Sequence, residues 1–549
     1  MERKTIIFIL LIMLFTKVQS QEVINGSELE NPKNRMVTKM LEGDGTCFFA
    51  YRYKSSKSEF YFVIEKYEKD SLKPVYSTEM ESKDNLESIL SVGNHLYLFF
   101  QEYNEAEKKL SLYFREMSPE GKLMPEKGDI MSVISGSREF VNLEIIQNPD
   151  KSKFVFKVSY RDVKSGSIQT DFAVINSKTF EILNRKTIDE SFFMLSSESS
   201  NSKGGISFNH IRYMEIATDK NNTIFWGYGF VKKNLDKDED LMNNLTMVIM
   251  PAKEREAKRV ELVLEPTNKI YNVKFVINSN NQLLVAGFLR NIVQASGPDY
   301  VTNGIFGYTI SLETYKITAN AIQLFEENAL TPKGFEPDDA KHINYKVDYM
   351  FEENNSAFLL GQQYYIKRNI EGGSTVTMVT YNHDYYDITA VKYNPEGKFE
   401  WVKKLPFRFS TDDKGPSYFD DYVAFINNKK IYVLNNENIF SLKNTMKTND
   451  SKNMAYYTDV RWTNFVYSSL TTDDGNYEHK LIFTNKPYCF VPSVNPDIHT
   501  TIIKPYIRSL SKKMKLQFEW EELFLQNNNE VIIFTNQKGK DRFSKFKVD

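Results

Sequence analysis

The chain has little cysteine and little tryptophan. Only two cysteines, Cys47 and Cys489, and four tryptophans occur among its 549 residues. Two cysteines exclude the disulfide-dense scaffolds that stabilise many small secreted domains. Two alternatives stay open: buried thiols that behave as small apolar side chains, or one disulfide that ties the beginning of the fold to its end, which an exported protein can form.

Long apolar runs are missing except at the very beginning. Arg3 and Lys4 precede an unbroken apolar run at 6–15, and the short segment 18–20 has residues small enough for cleavage. This pattern predicts a signal peptide at 1–20 and export to the periplasm or the exterior. Because no later run approaches the about 18 apolar residues that span a bilayer, we expect no transmembrane segment after the signal is removed.

Charge of one sign is missing as well. The chain carries 70 basic and 72 acidic residues. A nearly neutral chain offers no global field for a nucleic acid, so we expect no nucleic-acid partner. The apolar fraction of 41% is enough for a packed core, which makes wholesale disorder an unlikely reading of the composition.

The best-marked catalytic motifs are missing too. The six histidines are scattered, without the H-E-x-x-H spacing of zinc proteases. The sequence has no G-x-S-x-G elbow and no phosphate-binding loop. We therefore expect no cofactor, no metal and no assigned catalytic residue, and favour a protein without enzymatic activity.

Short aromatic strand-like runs are abundant, and the turns that punctuate them recur. The segment 117–123 (MSPEGKL) returns as 393–399 (YNPEGKF), and 175–182 (INSKTFEI) returns as 310–317 (ISLETYKI). The 40 phenylalanines and 32 tyrosines suit half-buried pleated surfaces. Recurrence of this kind indicates one supersecondary unit used several times.

Asparagines stand repeatedly at the entrance of an apolar run. Asparagine tolerates left-handed backbone, so these positions predict tight turns between strands. The positions are Asn94, Asn221-Asn222, Asn280-Asn281, Asn354-Asn355, Asn427-Asn428 and 527–529.

Together these patterns predict an all-β fold. We interpret residues 21–44 as a polar leader, which alternatively adds an edge strand, and residues 45–549 as a β-propeller of about seven blades with long inserted loops. Tandem β-sandwiches are the alternative. The basic tail, with its alternating Phe546 and Val548, is expected to form an edge or closing strand.

Candidate site residues come from acidic loops. His383 and Asp384 are placed at a turn before the strand that starts near Ile388, and a histidine beside carboxylates can bind a metal or act as a base. Loops on one face of a propeller converge, so carboxylates of different blades can meet there. The speculative loop site consists of His383, Asp384, Asp412, Asp413, Asp420 and Asp421.

The segment 387–406 resembles exported bacterial β-propeller-like proteins of unknown function. Their strands end in Asn/Asp-x-x-Gly-Lys, matched here by Asn394, Gly397 and Lys398, followed by Trp401, basic residues and Pro406. The resemblance covers roughly the last third of the chain. It implies a propeller-like fold and a Gram-negative envelope or extracellular setting, and it supplies no catalytic residues.

Two functions from different classes follow as expectations. The first is an exported binding or scaffold protein that presents a loop-lined propeller face to a protein or glycan partner. The second is a polysaccharide hydrolase or lyase that uses loop carboxylates. Oligomeric state stays open.

Overall fold

The computed structural model describes most of the strand-forming chain. The described residues are 23–30, 35–55, 60–81, 85–148, 150–189, 211–231, 242–293, 300–325, 344–372, 377–412, 422–438, 463–484, 489–490, 493–494, 521–522, 524–527, 529–537 and 540–548. Every regular element among them is a β-strand.

The chain begins with two short strands, β1 (Ile24–Asn25) and β2 (Leu29–Glu30). Four groups of four antiparallel strands follow and form blades 1 to 4. They are β3 (Arg35–Glu42), β4 (Cys47–Ser55), β5 (Phe60–Glu68), β6 (Pro74–Glu81); β7 (Asn85–Val92), β8 (His95–Asn104), β9 (Lys109–Met117), β10 (Gly128–Ile134); β11 (Asn142–Gln147), β12 (Lys153–Arg161), β13 (Ile168–Asn176), β14 (Ile182–Asp189); and β15 (Ile211–Thr218), β16 (Ile224–Val231), β17 (Met242–Met250), β18 (Lys258–Leu262).

Blades 5 to 8 complete the ring, and a few short strands lie beside them. They are β19 (Asn268–Ile277), β20 (Gln282–Val293), β21 (Tyr300–Ser311), β22 (Lys316–Leu324); β23 (Asn344–Glu353), β24 (Ser356–Gly372), β25 (Thr377–Tyr393), β26 (Phe399–Leu405), with β27 (Phe409–Asp412) against β25; β28 (Tyr422–Asn427), β29 (Lys430–Asn438), β30 (Thr463–Thr471), β31 (Tyr477–Thr484); and β32 (Cys489–Phe490), β33 (Ser493–Val494), β34 (Glu521–Glu522), β35 (Phe524–Asn527), β36 (Glu530–Gln537), β37 (Lys540–Lys547).

The last blade is assembled from both ends of the chain. Its strands β35, β36 and β37 come from the C-terminal region, and β1 and β2 pair antiparallel with β37 to supply the outer edge. Ile24 lies opposite Lys545, and Leu29 lies opposite Asp541. The basic tail is therefore a closing strand, as predicted.

The propeller has eight blades, so the prediction of about seven is wrong. Seven blades are formed by four consecutive strands each. The eighth is composite, and its outer edge, formed by β1 and β2, lies in the polar segment that the sequence interpretation kept apart as a leader. That segment also contains β3, the inner strand of blade 1.

The apolar core lies between the blades. Each pair of neighbouring blades encloses a buried cluster, from blades 1 and 2 around to blades 8 and 1. The cluster of blades 8 and 1, for example, joins Phe48 and Tyr67 to Phe543. Because each blade is covered on both faces, its central strands need continuous apolar runs, which explains why strict alternation is uncommon in this sequence.

The recurring sequence segments form equivalent turns between the third and fourth strands of their blades. In blades 2 and 6, Gly121 and Gly397 have φ of 81° and 83° and donate their N–H groups to Ser118 and Asn394 carbonyls. In blades 3 and 5, Phe180 and Tyr315 occupy left-handed backbone at φ of 57° and 54°. The repeats therefore predicted real, symmetry-related turns.

These turns contact the preceding blade. A Cβ atom at Gly397 would stand 2.8 Å from Ala319 Cβ on the outer strand of blade 5, so a side chain there has no room. The Phe180 ring instead stacks on Phe114 of blade 2, with centroids 3.9 Å apart. In both kinds of turn, the residue with left-handed backbone thus contacts the preceding blade: glycine through its backbone, phenylalanine through its ring.

Candidate functional site

Two ends of the propeller can be distinguished from its topology. Turns between first and second strands, and between third and fourth strands, lie at one end, which we call the turn end. Connections between second and third strands, and between blades, lie at the opposite end, which we call the loop end. The antiparallel order within every blade dictates this division.

Asparagines form the tight turns between first and second strands in blades 4 to 7, as predicted. Asn222, Asn281 and Asn428 have φ of 62°, 60° and 49°, and the pair Asn354 and Asn355 has 52° and 65°. Such left-handed positions cost little for asparagine.

A recurring backbone hydrogen bond ties the two kinds of turn together within five blades. In each, an N–H after the third strand donates to a carbonyl of the turn after the first strand. The pairs are Lys69 to Thr46 (2.8 Å), Ser177 to Ser152 (3.0 Å), Leu312 to Asn281 (3.1 Å), Thr472 to Lys429 (2.9 Å) and Val548 to Asn529 (2.8 Å).

Side-chain amides also join neighbouring blades at this end. Asn427 and Asn428 both donate through Nδ2 to Asn529 Oδ1 at 2.8 Å, linking blades 7 and 8. Asn280 donates its backbone N–H to Asn355 Oδ1 at 3.1 Å, linking blades 5 and 6. The turn end is therefore a preorganised polar surface.

Three of the six sequence-predicted site residues, His383, Asp384 and Asp412, lie in the described part of blade 6, at the loop end. His383 and Asp384 lie inside β25 rather than at a turn before it, so that placement was wrong. Register sets Asp384 opposite Ser410 and Asn382 opposite Asp412, so Asp384 and Asp412 lie on neighbouring strands, two positions apart. Asp384 is half-buried. Asp413, Asp420 and Asp421 lie outside the described residues.

Blade 6 also carries a two-stranded arm at the loop end. Strands β24 and β25 stay paired over eight residue pairs, from Tyr365–Asp384 to Gly372–Thr377, beyond the last pairing of β24 with β23 at Tyr364. At about 3.4 Å per residue the arm extends roughly 27 Å. Among the described residues, only β27 pairs with it, at its base.

Cys47 is a buried free thiol in this structure. Its Sγ donates to Asn94 Oδ1 at 2.8 Å, and burial raises the pKa of the thiol. Cys489 pairs through its backbone with Asn536. The structure gives no support to a bridge between the two cysteines.

Buried charges gather between blades 6 and 7, beneath the arm. The Asp387 side chain is 3% exposed and accepts from Arg408 Nη1 at 3.1 Å, where Arg408 is 4% exposed. Lys404 Nζ lies 3.5 Å from the other carboxylate oxygen. The Arg408 guanidinium lies over the Tyr386 ring, 5.0 Å from its centroid. One buried carboxylate thus holds two cations in place.

A second carboxylate joins the two blades directly. Tyr422, in the first strand of blade 7, donates its hydroxyl to Asp348 Oδ2 at 2.7 Å. Lys346 Nζ lies 2.8 Å from Asp348 Oδ1. Tyr349 completes the link by donating to the Tyr422 carbonyl at 3.2 Å.

Blade 7 contains a serine, a histidine and a glutamate in one hydrogen-bonded row. His479 Nδ1 lies 2.9 Å from Ser468 Oγ, and His479 Nε2 lies 2.7 Å from Glu437 Oε2. The histidine tautomer that donates from Nε2 to Glu437 leaves Nδ1 to accept from the Ser468 hydroxyl. The His479 and Glu437 side chains are 3% and 1% exposed.

Tyr477 packs beside this row, in the core that blades 6 and 7 share. Burial raises its pKa most; the hydrogen bond with Ser468 lowers it in part, and the charges of Glu437 and then Asp387 raise it further. The tyrosine is therefore neutral throughout the physiological range.

The row has the residue types of a nucleophile, a base and an orienting acid. Its burial decides against that use in this structure, because a substrate must reach the serine and Ser468 is only 3% exposed. The described residues also contain no group of three His, Cys, Asp or Glu positioned for a metal ion, and no helix long and apolar enough to cross a membrane. What the row does is brace blade 7 internally.

Sequence reasoning missed Asp387, Arg408 and Glu437. One signal was readable: Asp387 stands between Tyr386 and Ile388, inside an otherwise apolar stretch of strand. A charged residue at such a position needs a partner. The partner Arg408 is 21 residues away and follows no spacing rule.

Similarity to known proteins is weak. No protein-family model and no curated protein matches the chain. The WD40 domain of SCAP from fission yeast is similar at 10% identity and a TM-score of 0.36, over 96% of this chain and 98% of that one. The β-propeller domain of the Trilobed protease from Pyrococcus furiosus is similar at 10% identity and a TM-score of 0.32, over 81% and 97%.

Polysaccharide lyase Uly1 is similar at 9% identity and a TM-score of 0.33, over 95% of this chain and 100% of that one. Likenesses at this level carry no argument about activity. The chain is a β-propeller because eight four-stranded units and eight buried interfaces close into one ring.

Proposed function

We propose that this protein is an exported, non-enzymatic binding or scaffold propeller that engages a protein or glycan partner at its loop end. The arm of blade 6 carries the proposal. Residues 365–372 and 377–384 form a ladder that extends beyond the blade, and the pairings known for β23 and β26 do not reach it. A strand edge beyond the last pairing of its blade can add an extended segment of a partner.

The base of the arm supports this role. Buried ion pairs at Asp387 and Asp348 link blade 6 to the adjoining connection and to blade 7, directly below the arm. A rigid base reduces the entropy lost when a partner binds, because less of the surface must be ordered.

The test removes the arm and leaves the blade. Residues 367–382 are replaced by a two-residue Asn-Gly turn that joins the paired residues Ile366 and His383 and keeps the register of the blade. Binding to a glycan array and to a panel of extended peptides is measured by biolayer interferometry. We expect specific binding by the natural chain and at least a tenfold loss in the variant. A matched control shortens an exposed turn of the turn end, at Lys178. Equal binding by the natural and armless proteins would contradict the proposal.

The polysaccharide hydrolase or lyase is the second candidate, and one observation favours it. Asp384 and Asp412 lie two register positions apart on paired strands, a diagonal of about 7–8 Å between Cα atoms. Carboxyl groups of glycosidases are separated by roughly 5 to 9.5 Å. Release of reducing ends from a polysaccharide panel, lost in Asp384→Asn and kept in Asp473→Asn at the turn end, would establish this function and overturn the first.

A further inference from the structure

The sequence contains five Asn-x-Ser/Thr acceptor sequences, which start at Asn25, Asn221, Asn244, Asn354 and Asn449. This tripeptide is the acceptor of N-linked glycans in exported proteins, and an occupied acceptor stands on the surface of the fold. Four of the five lie in the described part of the chain. The structure separates these four by their surroundings.

Two of them occupy the same place in their blades. Asn221 and Asn354 are each exposed and each begin the Asn-Asn turn between first and second strands, in blades 4 and 6. Both therefore lie at the turn end. Both side chains are open to solvent, where a glycan can be attached.

The other two acceptors are less suitable. Asn244 lies within β17, opposite Phe230 of β16, and is half-buried. Asn25 belongs to β1, and its Oδ1 accepts from Ser544 Oγ at 2.9 Å in the composite blade. A glycan on either would be attached within a paired strand.

Acidic residues fix the shape of both turns. Asp219 Oδ1 accepts from the Asn221 and Thr223 backbone N–H groups at 2.9 and 2.8 Å. Glu352 Oε1 accepts from the Asn355 N–H at 2.8 Å. Each acid stands two positions before its acceptor.

We propose that Asn221 and Asn354 carry N-linked glycans, an inference that rests on the export included in the proposed function. In this transfer, Asn Nδ2 forms a bond to C1 of an oligosaccharide carried on a polyprenyl pyrophosphate. The bond from C1 to the pyrophosphate oxygen breaks, the lipid pyrophosphate leaves, and one Nδ2 proton passes to the transferase.

Two glycans at these positions would cover part of the turn end and leave the arm at the loop end uncovered. The turn end would then be shielded by glycans, and the loop end would stay open to a partner. Partner binding at the arm does not require the glycans, so failure of this inference leaves the proposed function intact.

The experiment expresses the full chain through the secretory route of a host that performs N-linked glycosylation. Occupancy at each asparagine is read by peptide mass spectrometry after enzymatic glycan release in heavy-oxygen water. We expect occupied Asn221 and Asn354, and a mass decrease of one glycan in each of Asn221→Gln and Asn354→Gln. Secreted protein without glycan at both positions overturns the proposal.

Blade 5 provides the matched control. Its Asn280-Asn281-Gln282 turn has the same place and left-handed backbone but no hydroxyl residue at the third position. We expect Asn280 to be unmodified in the natural chain and modified in Gln282→Thr. Modification of Asn280 without modification of Asn221 and Asn354 would overturn the proposal by showing that the host modifies this turn but not the two natural acceptors.

Discussion

The interface of blades 2 and 3 and the interface of blades 6 and 7 solve the same packing problem with different chemistry. Between blades 2 and 3 the space is filled by aromatic rings, among them Phe99, Phe154 and Phe180. Between blades 6 and 7 an apolar cluster is combined with the buried carboxylates Asp387 and Asp348. Closure of the ring therefore requires that the space between neighbouring blades is filled. Buried charges at an interface also orient the two blades, but each charge must keep its partner.

The largest effect is expected from removing a carboxylate between blades 6 and 7. Asp387→Ala leaves Arg408 and Lys404 without their common partner, and loss of one member of a buried pair typically costs about 3 to 5 kcal/mol. The free energy of unfolding should fall by this amount in urea titrations monitored by circular dichroism. Glu105→Ala, which removes an exposed partner of Arg138, should cost about 0 to 1 kcal/mol.

A double variant sharpens this prediction. Asp387→Leu combined with Arg408→Met replaces the buried pair with apolar groups, as at the interface of blades 2 and 3. Such replacements are often neutral or stabilising. We expect the double variant to recover most of the stability lost in Asp387→Ala. A double variant as unstable as the single one would show that the pair does more than satisfy its own charges.

A smaller effect is expected at the aromatic interface. Phe180→Ala removes the ring that stacks on Phe114 and contacts Tyr97 edge-on, 4.9 Å between centroids. Because Phe180 is only partly buried, the expected loss is about 2 kcal/mol. Thermal unfolding measures it, with Lys178→Ala in the same turn as the control. Equal melting temperatures for the two variants would show that the aromatic turn does not hold the blades together.

A still smaller effect is expected at two turn glycines, which can be compared as a pair. Gly397→Ala combines left-handed backbone with a contact at 2.8 Å to Ala319, whereas Gly166→Ala has left-handed backbone and open space. We expect about 1 kcal/mol for Gly166→Ala and about 1 kcal/mol more for Gly397→Ala. Chemical denaturation of both variants separates backbone strain from blade contact. Equal losses of stability in the two variants would show that the contact between Gly397 and Ala319 contributes nothing.

The smallest effect is expected in the pH dependence of stability below neutral pH. Hydrogen bonds from Lys392 and then Asn394 lower the pKa of Glu400 below its ordinary 4.5, against a smaller opposing effect of burial. A lowered folded-state pKa gives stability that is present above the unfolded pKa and is lost as pH falls through the folded one. Glu400→Gln should therefore flatten the stability profile only below about pH 4.5. Unfolding at pH 7 and pH 3.5 checks this, and an unchanged slope would contradict it.

The sequence predicted the repeating elements because their signals are local. Gly121 and Gly397, or Phe180 and Tyr315, sit in turns whose shape depends on four or five neighbouring residues, so recurrence in sequence became recurrence in structure. The blade count failed because the pairing of Ile24 with Lys545 joins positions at opposite ends of the chain. No short pattern encodes such a pairing.

The candidate site was predicted only in part, for a related reason. Asp384 and Asp412 were selected as acidic loop residues, and the structure sets them in paired strands of one blade. The buried charges were missed because Asp387 meets Arg408, and Glu437 meets His479, through the fold and at unrelated spacings. An acidic residue becomes a structural ion-pair partner only when the fold buries it, and burial cannot be read from the residue type.

The composite blade sets the order of events when the protein is synthesised. The residues that form its outer edge leave the ribosome long before β37, the strand with which they pair in the described part of the chain; the bond from Ser544 to Asn25 spans 519 residues. Until then Phe543 and Phe546, which fill the final two interfaces, have not emerged. A chain stalled or cleaved before β37 would therefore remain an open arc with two uncovered apolar faces, a species prone to aggregation and easily recognised by quality control.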